Sequence, residues 1–91
     1  MAILHAVKLE RPLKALANRR RLAIVAYIKK HREASVGEIA DAVRLSIKAT
    51  SKHLGVLYAA DIVEREQRNV FMLYRLSKEP PEAARILVSL L

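Results

Sequence analysis

The chain has 91 residues, enough for one domain, and its 17 Lys and Arg against 9 Asp and Glu give a net charge of +8. Hydrophobic residues make up 53%, enough to bury a core and too many for a disordered basic tail. The absence of cysteine excludes a disulfide framework, a thiolate metal site and a cysteine nucleophile.

The apolar start (Ile3, Leu4, Ala6, Val7) is too short and lacks the basic lead-in of a secretory signal. No stretch approaches the ~18–20 apolar residues of a membrane span, so the chain reads as soluble and cytoplasmic, with no membrane partner. Residues 2–10 fit two patterns. Ile3, Leu4 and Val7 suit a helix, while Ile3, His5, Val7 and Leu9 alternate as on a strand. Pro12 belongs to the first turn of a following short helix, about Pro12 to Ala17, with Leu13, Leu16 and Ala17 on one side.

Asn18 is a good N-cap for a second helix, whose apolar face of Leu22, Ile24, Val25, Tyr27 and Ile28 runs to about His31. Ser35-Val36-Gly37-Glu38 matches a capping box and opens a short helix from Val36 to Val43, with Ile39, Ala40 and Val43 inward. After the tight connection Arg44-Leu45-Ser46, Ser46 caps a helix over roughly Ile47 to Ala60. Its inner face is expected to carry Ile47, Thr50, Leu54 and Leu57, and its outer face Lys48, Ala49, Ser51, Lys52 and Gly55.

Ile62–Glu66 and Val70–Leu76 are strand-like runs around a three-residue loop, Gln67-Arg68-Asn69, and Val70, Met72, Tyr74 and Leu76 share one face of the second strand. Pro80-Pro81 starts a last helix. Seven of the nine residues from Ala83 to Leu91 are apolar, so something must cover more than one side of it. The fold class is therefore mainly α with a small β-hairpin wing, in the order α-α-α-α-β-β-α. Two short helices joined by a tight turn and followed by a hairpin make a winged helix-turn-helix.

The charge excess attracts polyanions, of which nucleic acid is the commonest inside cells. Aromatic residues are only 4%, which argues against stacking platforms for single strands and favours double-stranded DNA. The candidate DNA-binding residues are Ser46, Lys48, Ala49, Thr50, Ser51, Lys52 and His53 on the fourth helix, and Arg65, Gln67, Arg68 and Asn69 in the wing. Lys48, Ala49 and Ser51 are the expected base readers. Each also has a bland reading: the lysines as surface charge, Ala49, Thr50 and Ser51 as helix filler, and His53 as a half-buried histidine beside Leu54. Of Arg19-Arg20-Arg21, at most two can serve one surface, and Arg21 reads first as a structural arginine at a helix terminus or on an acidic partner.

The ordered set Leu13-Lys14-Ala15-Leu16-Ala17-Asn18, Arg21-Leu22, Ile24, Val36-Gly37-Glu38-Ile39-Ala40, Leu45-Ser46, Thr50-Ser51-Lys52-His53-Leu54, Leu57, Ile62-Val63 and Leu73-Tyr74-Arg75-Leu76 resembles the ArsR-type winged-helix family of bacterial and archaeal transcriptional repressors. The resemblance covers about residues 12–77. It departs from the family at Arg44 and Asp61, where glycine is frequent, and in a wing without glycine, where Asn69 is the residue best suited to positive φ.

The resemblance implies a DNA-binding regulator, in which metal-sensing members use cysteines on the helix matching Val36–Val43 or His and Asp ligands in the last helix. This chain has neither set. His5, His31 and His53 have no His or Asp partner at helical spacing, so no metal and no cofactor are expected. No nucleophile–base pair or glycine-rich phosphate loop points to an enzyme. A homodimer is expected through Ile3, Leu4, Val7, Ile86, Leu87, Leu90 and Leu91, with Leu87 and Leu90 at its centre and Ile86 or Val88 facing the protomer's own core. The competing readings are a winged-helix protein–protein interaction module, supported by an uncovered Phe71 and Leu73, and a ligand-gated sensor of the same fold.

Overall fold

The computed structural model describes residues 2–91, in the order α1 (Ala2–Leu16), α2 (Arg19–His31), β1 (Glu33–Ser35), α3 (Val36–Val43), α4 (Ile47–Ala59), β2 (Val63–Arg68), β3 (Phe71–Leu76) and α5 (Glu82–Val88). Local chemistry sets most boundaries. The Asn18 side chain accepts from the N–H groups of Arg20 and Arg21 at 3.0 and 3.1 Å and so opens α2. Ser35 and Glu38 form the reciprocal capping box: Ser35 N–H donates to the carboxylate at 2.8 Å, and Glu38 N–H to the hydroxyl at 3.2 Å.

Ile24, Val25 and Ile28 of α2, Ile39 of α3, Leu54 and Leu57 of α4, and Ile62 and Val63 form the centre of the buried core. Each such side chain contributes about 1.5–3 kcal/mol by leaving water. Tyr74 closes the core from the sheet and Ala84 from α5. No helix among the described residues is long and apolar enough to cross a membrane.

Four expectations are corrected. Residues 2–16 form one helix through Pro12, rather than an undetermined segment followed by a short helix. The ring removes one backbone hydrogen bond, to the carbonyl of Lys8, and exposed Lys8 can give that carbonyl to water. A three-residue strand, β1, precedes α3 and pairs antiparallel with β3, Ala34 opposite Tyr74, making a sheet of order β1-β3-β2. The wing turn has two residues, not three: Arg68 pairs with Phe71, and Asn69-Val70 connect them, with Asn69 at φ 58°. Val70 therefore sits in the turn, 84% exposed, and leaves the strand face to Met72, Tyr74 and Leu76. The last helix ends at Val88, short of Leu90 and Leu91.

Burial on the inner stripe of α4 begins at Thr50, which is fully buried, and continues at Leu54 and Leu57. The Thr50 hydroxyl has no hydrogen-bond partner among the described residues. An unpaired buried hydroxyl costs about 1–3 kcal/mol, so the isosteric Thr50→Val should raise the stability measured by urea unfolding by about 1 kcal/mol. A loss of stability would mean that the hydroxyl is satisfied.

Candidate nucleic-acid interface

The turn that carries α4 is held by one carbonyl. Arg44 ends α3 in the left-handed region (φ 59°, ψ 47°) with its N–H on the carbonyl of Ala40, which Leu45 N–H also reaches at 3.1 Å. A non-glycine residue there costs about 1–2 kcal/mol. Ser46 then caps α4, its hydroxyl accepting from Ala49 N–H at 3.0 Å. Lys48, Ser51, Lys52 and Gly55 are exposed on the outer side and Ala49 is half-exposed. A Cβ at Gly55 would meet open space, so nothing within the protomer requires glycine at this mid-helix position. The helix carries no acidic residue, and among the described residues Lys48 and Lys52 enter no salt bridge.

Two α4 assignments change. Thr50 is buried and cannot reach a ligand, so it leaves the candidate set. Ile47, expected inward, is 62% exposed and joins the outer surface. Periodicity located the apolar stripe correctly, but the core stops one turn short of its first residue.

Arg21 is structural, as its position suggested. Its guanidinium donates to the carbonyls of Lys14 and Ala15 in the last turn of α1, and lies 3.3 Å from Nδ1 of His53. His53 is thereby the half-buried histidine. Burial first, then the charges of Arg21 and Arg20, push its pKa below the usual value of 6.5, so the neutral ring serves as acceptor. The Arg21–His53 contact brings the start of α2 against α4. Arg19 and Arg20 are exposed beside it.

The two wing arginines lie on opposite faces of β2. Arg65 stacks over the ring of Tyr58 on α4, its Cζ 3.9 Å from the centroid, which ties the wing to the helix. Sequence reasoning missed Tyr58 because its partner is seven residues away on another element. Arg68 bonds to Glu33 at 3.0 Å and Glu66 at 3.3 Å, and Arg75 beside it bonds to Glu66 and Glu64. Three carboxylates and two guanidiniums thus nearly neutralise the outer face of the sheet. Gln67 donates its side-chain amide to the Asn69 carbonyl at 2.9 Å and braces the turn.

Ile3, Leu4 and Val7 on α1 are exposed, as are Ile86, Leu90 and Leu91, in agreement with the expected apolar surface. Leu87, expected at the centre of that surface, is half-buried, and of Ile86 and Val88 it is Val88 that faces the core. Leu87 and Val88 pack against the core, whereas Ile86 is 53% exposed. Leu9, Leu13, Ala83, Ile86 and Leu87 line a groove between α1 and α5. Among the described residues no three His, Cys, Asp or Glu side chains gather as metal ligands.

The depressed His53 pKa has a defined consequence for stability. Between its folded value and 6.5 the unfolded chain binds more protons, so this contribution is complete above pH 6.5 and is lost as pH falls through the folded value. The carboxylates of Glu38, Glu64 and Glu66 are held below 4.5, so their contributions fade only under more acidic conditions. The urea midpoint should fall between pH 7.5 and 5.5, and His53→Gln, which keeps an acceptor for Arg21, should flatten that dependence. An unchanged slope in the variant would remove His53 as its source.

The Helix-turn-helix domain family matches residues 16–66, over half the chain. No curated protein sequence matches this one. Among solved structures, reduced HlyU from Vibrio cholerae is 30% identical with a TM-score of 0.85, over 98% of this chain and 90% of that one. A homodimeric winged helix-turn-helix DNA-binding domain from Mycobacterium bovis, a possible ArsR-family transcriptional regulator, is 30% identical with a TM-score of 0.83, over 98% and 79%. The transcriptional repressor BigR from Xylella fastidiosa is 29% identical with a TM-score of 0.80, over 98% and 85%. With this domain match, this fold and these identities, the chain belongs to the ArsR-type winged helix-turn-helix transcriptional regulators.

Proposed function

We propose that this protein is a sequence-specific repressor that binds double-stranded DNA as a homodimer in the cytoplasm and does not sense metals. The observation that carries the reading is α4, whose outer face holds exposed, unpaired Lys48 and Lys52 with small residues between them and no acid. Such a face lets a helix backbone approach the major groove while lysines meet phosphates. Lys48, Ala49 and Ser51 would read base edges, and Ser46 and Lys52 the backbone. Arg65 would hold the flanking strand. Arg68, flanked by Gln67 and Asn69 at the wing tip, would exchange its carboxylates for phosphate.

The whole chain acts as one winged-helix domain, with α1 and α5 as its dimer surface. Residues 3–10 of α1 are all exposed, and a helical arm of this length is marginal in water without a partner. Mutual burial of α1 and Ile86 across a two-fold axis would cover both copies at once and set two α4 helices about 34 Å apart. Repression is what BigR is described as doing. Absence of metal sensing rests on a chain without cysteine. Exposed Phe71 (59%) favours the second reading, a protein–protein adaptor.

Two measurements test this function. If a dimer neutralises about eight phosphates, log K against log[salt] should have a slope near −7, and Lys52→Ala should reduce it by about two. Salt-independent binding would leave the adaptor reading. Ile86→Glu removes no core contact and should give monomers in sedimentation at micromolar concentration, with tight duplex binding lost. A dimer that survives Ile86→Glu would place the interface elsewhere.

A further inference from the structure

We infer that Ile47 is a specificity-determining residue, reading the C5-methyl group of a thymine in each half-site. This rests on the DNA-binding reading above and adds a base to it. Ile47 is the first residue of α4 and 62% exposed, and it is not among the apolar side chains packed on the core. Isoleucine gains nothing there as a helix former, since its β-branch makes it a weaker choice than alanine or leucine.

The position is not an extension of the apolar surface on α1 and α5. The α1 helix meets α4 at Val56, Ala59 and Ala60, nine or more residues further on. At 1.5 Å per residue that is about 14 Å along the helix. Around Ile47 the exposed residues are instead Arg44, Ser46, Lys48 and Ser51, the last one helical turn away on the same side. It is an apolar side chain within the basic surface that faces the groove.

The chemistry then limits what it can touch. In a helix-turn-helix the N-terminal residues of the second helix meet base edges. The major groove displays hydrogen-bonding groups on every base, and its apolar group is the thymine methyl. Isoleucine against a guanine or cytosine edge would strip water from polar atoms without replacing their hydrogen bonds, which is unfavourable. Against a thymine methyl it buries apolar surface on both sides. Ile47 therefore selects thymine and disfavours cytosine, which has no C5-methyl and presents an amino donor at C4 instead of a carbonyl oxygen.

The test uses duplexes selected by the protein from a random pool, each thymine then replaced singly by deoxyuridine, which lacks only the methyl. Wild type should lose roughly fourfold in affinity at one thymine per half-site, the value of burying one methyl-sized group. Ile47→Ala should bind thymine and deoxyuridine duplexes equally, keep its affinity for random duplex, and unfold at the wild-type urea concentration. Ile47→Val should retain a reduced preference. If wild type tolerates deoxyuridine everywhere, or Ile47→Ala shows the same penalty as wild type, the inference is wrong while sequence reading stands. If no sequence is enriched from the pool, both fail together.

Discussion

The Arg21 guanidinium joins three helices at one point, and the arrangement of the proposed DNA-facing surface depends on it. It takes the carbonyls of Lys14 and Ala15, which the end of α1 leaves without intrahelical partners, and approaches His53 on α4 from the other side. The proposed dimer helix is thereby locked to the proposed reading helix. A second link, Arg11 to the carbonyl of Ala59 at 3.3 Å, fixes the other end of α4 to α1. Such fixing matters because two recognition helices must keep a set separation to occupy successive grooves. His53 is suited to this place only when neutral, since a second positive charge against Arg21 would repel it.

Net charge alone gives little sense of where a polyanion would sit. The sheet's outer face carries Glu33, Glu64, Glu66, Arg68 and Arg75, which satisfy one another. Uncompensated charge lies elsewhere, including α4 and the start of α2, where Lys48, Lys52, Arg19 and Arg20 have no acid on their own helices. Through Arg68 and Glu33 the pairing on the sheet also links the hairpin to β1. Arg65 stacked on Tyr58 aims the wing along α4.

Features set by neighbouring residues were legible in the sequence. Asn18, Ser35 with Glu38, and Ser46 announce helix starts because a cap is a contact within three residues, and Asn69 announced its positive φ for the same local reason. Features set by distant partners were not. Glu33–Ser35 is too short to show alternation, and its strand exists because Tyr74 and its neighbours lie alongside. Spacing put Ile47 and Leu54 on one stripe but carries no mark of where the core ends. In α5, apolar nearly all round, no pattern distinguishes Ile86 from Leu87. The face is chosen by what packs there. Thr50 combined both difficulties, a polar residue on an apolar stripe.

One strained residue and the exposed apolar stripes of the free protomer lie where an assembly would use them. Arg44 at positive φ sits in the turn that sets α4, and the bare stripes of α1 and Ile86 flank the expected two-fold axis. The proposed function requires two copies of α4 to read one duplex symmetrically. The most direct measurement is the arrangement of bases in duplexes recovered from a random pool. An inverted repeat with half-sites about 10–10.5 base pairs apart, centre to centre, is the expected result. Recovery of an isolated half-site, or of a direct repeat, would contradict it.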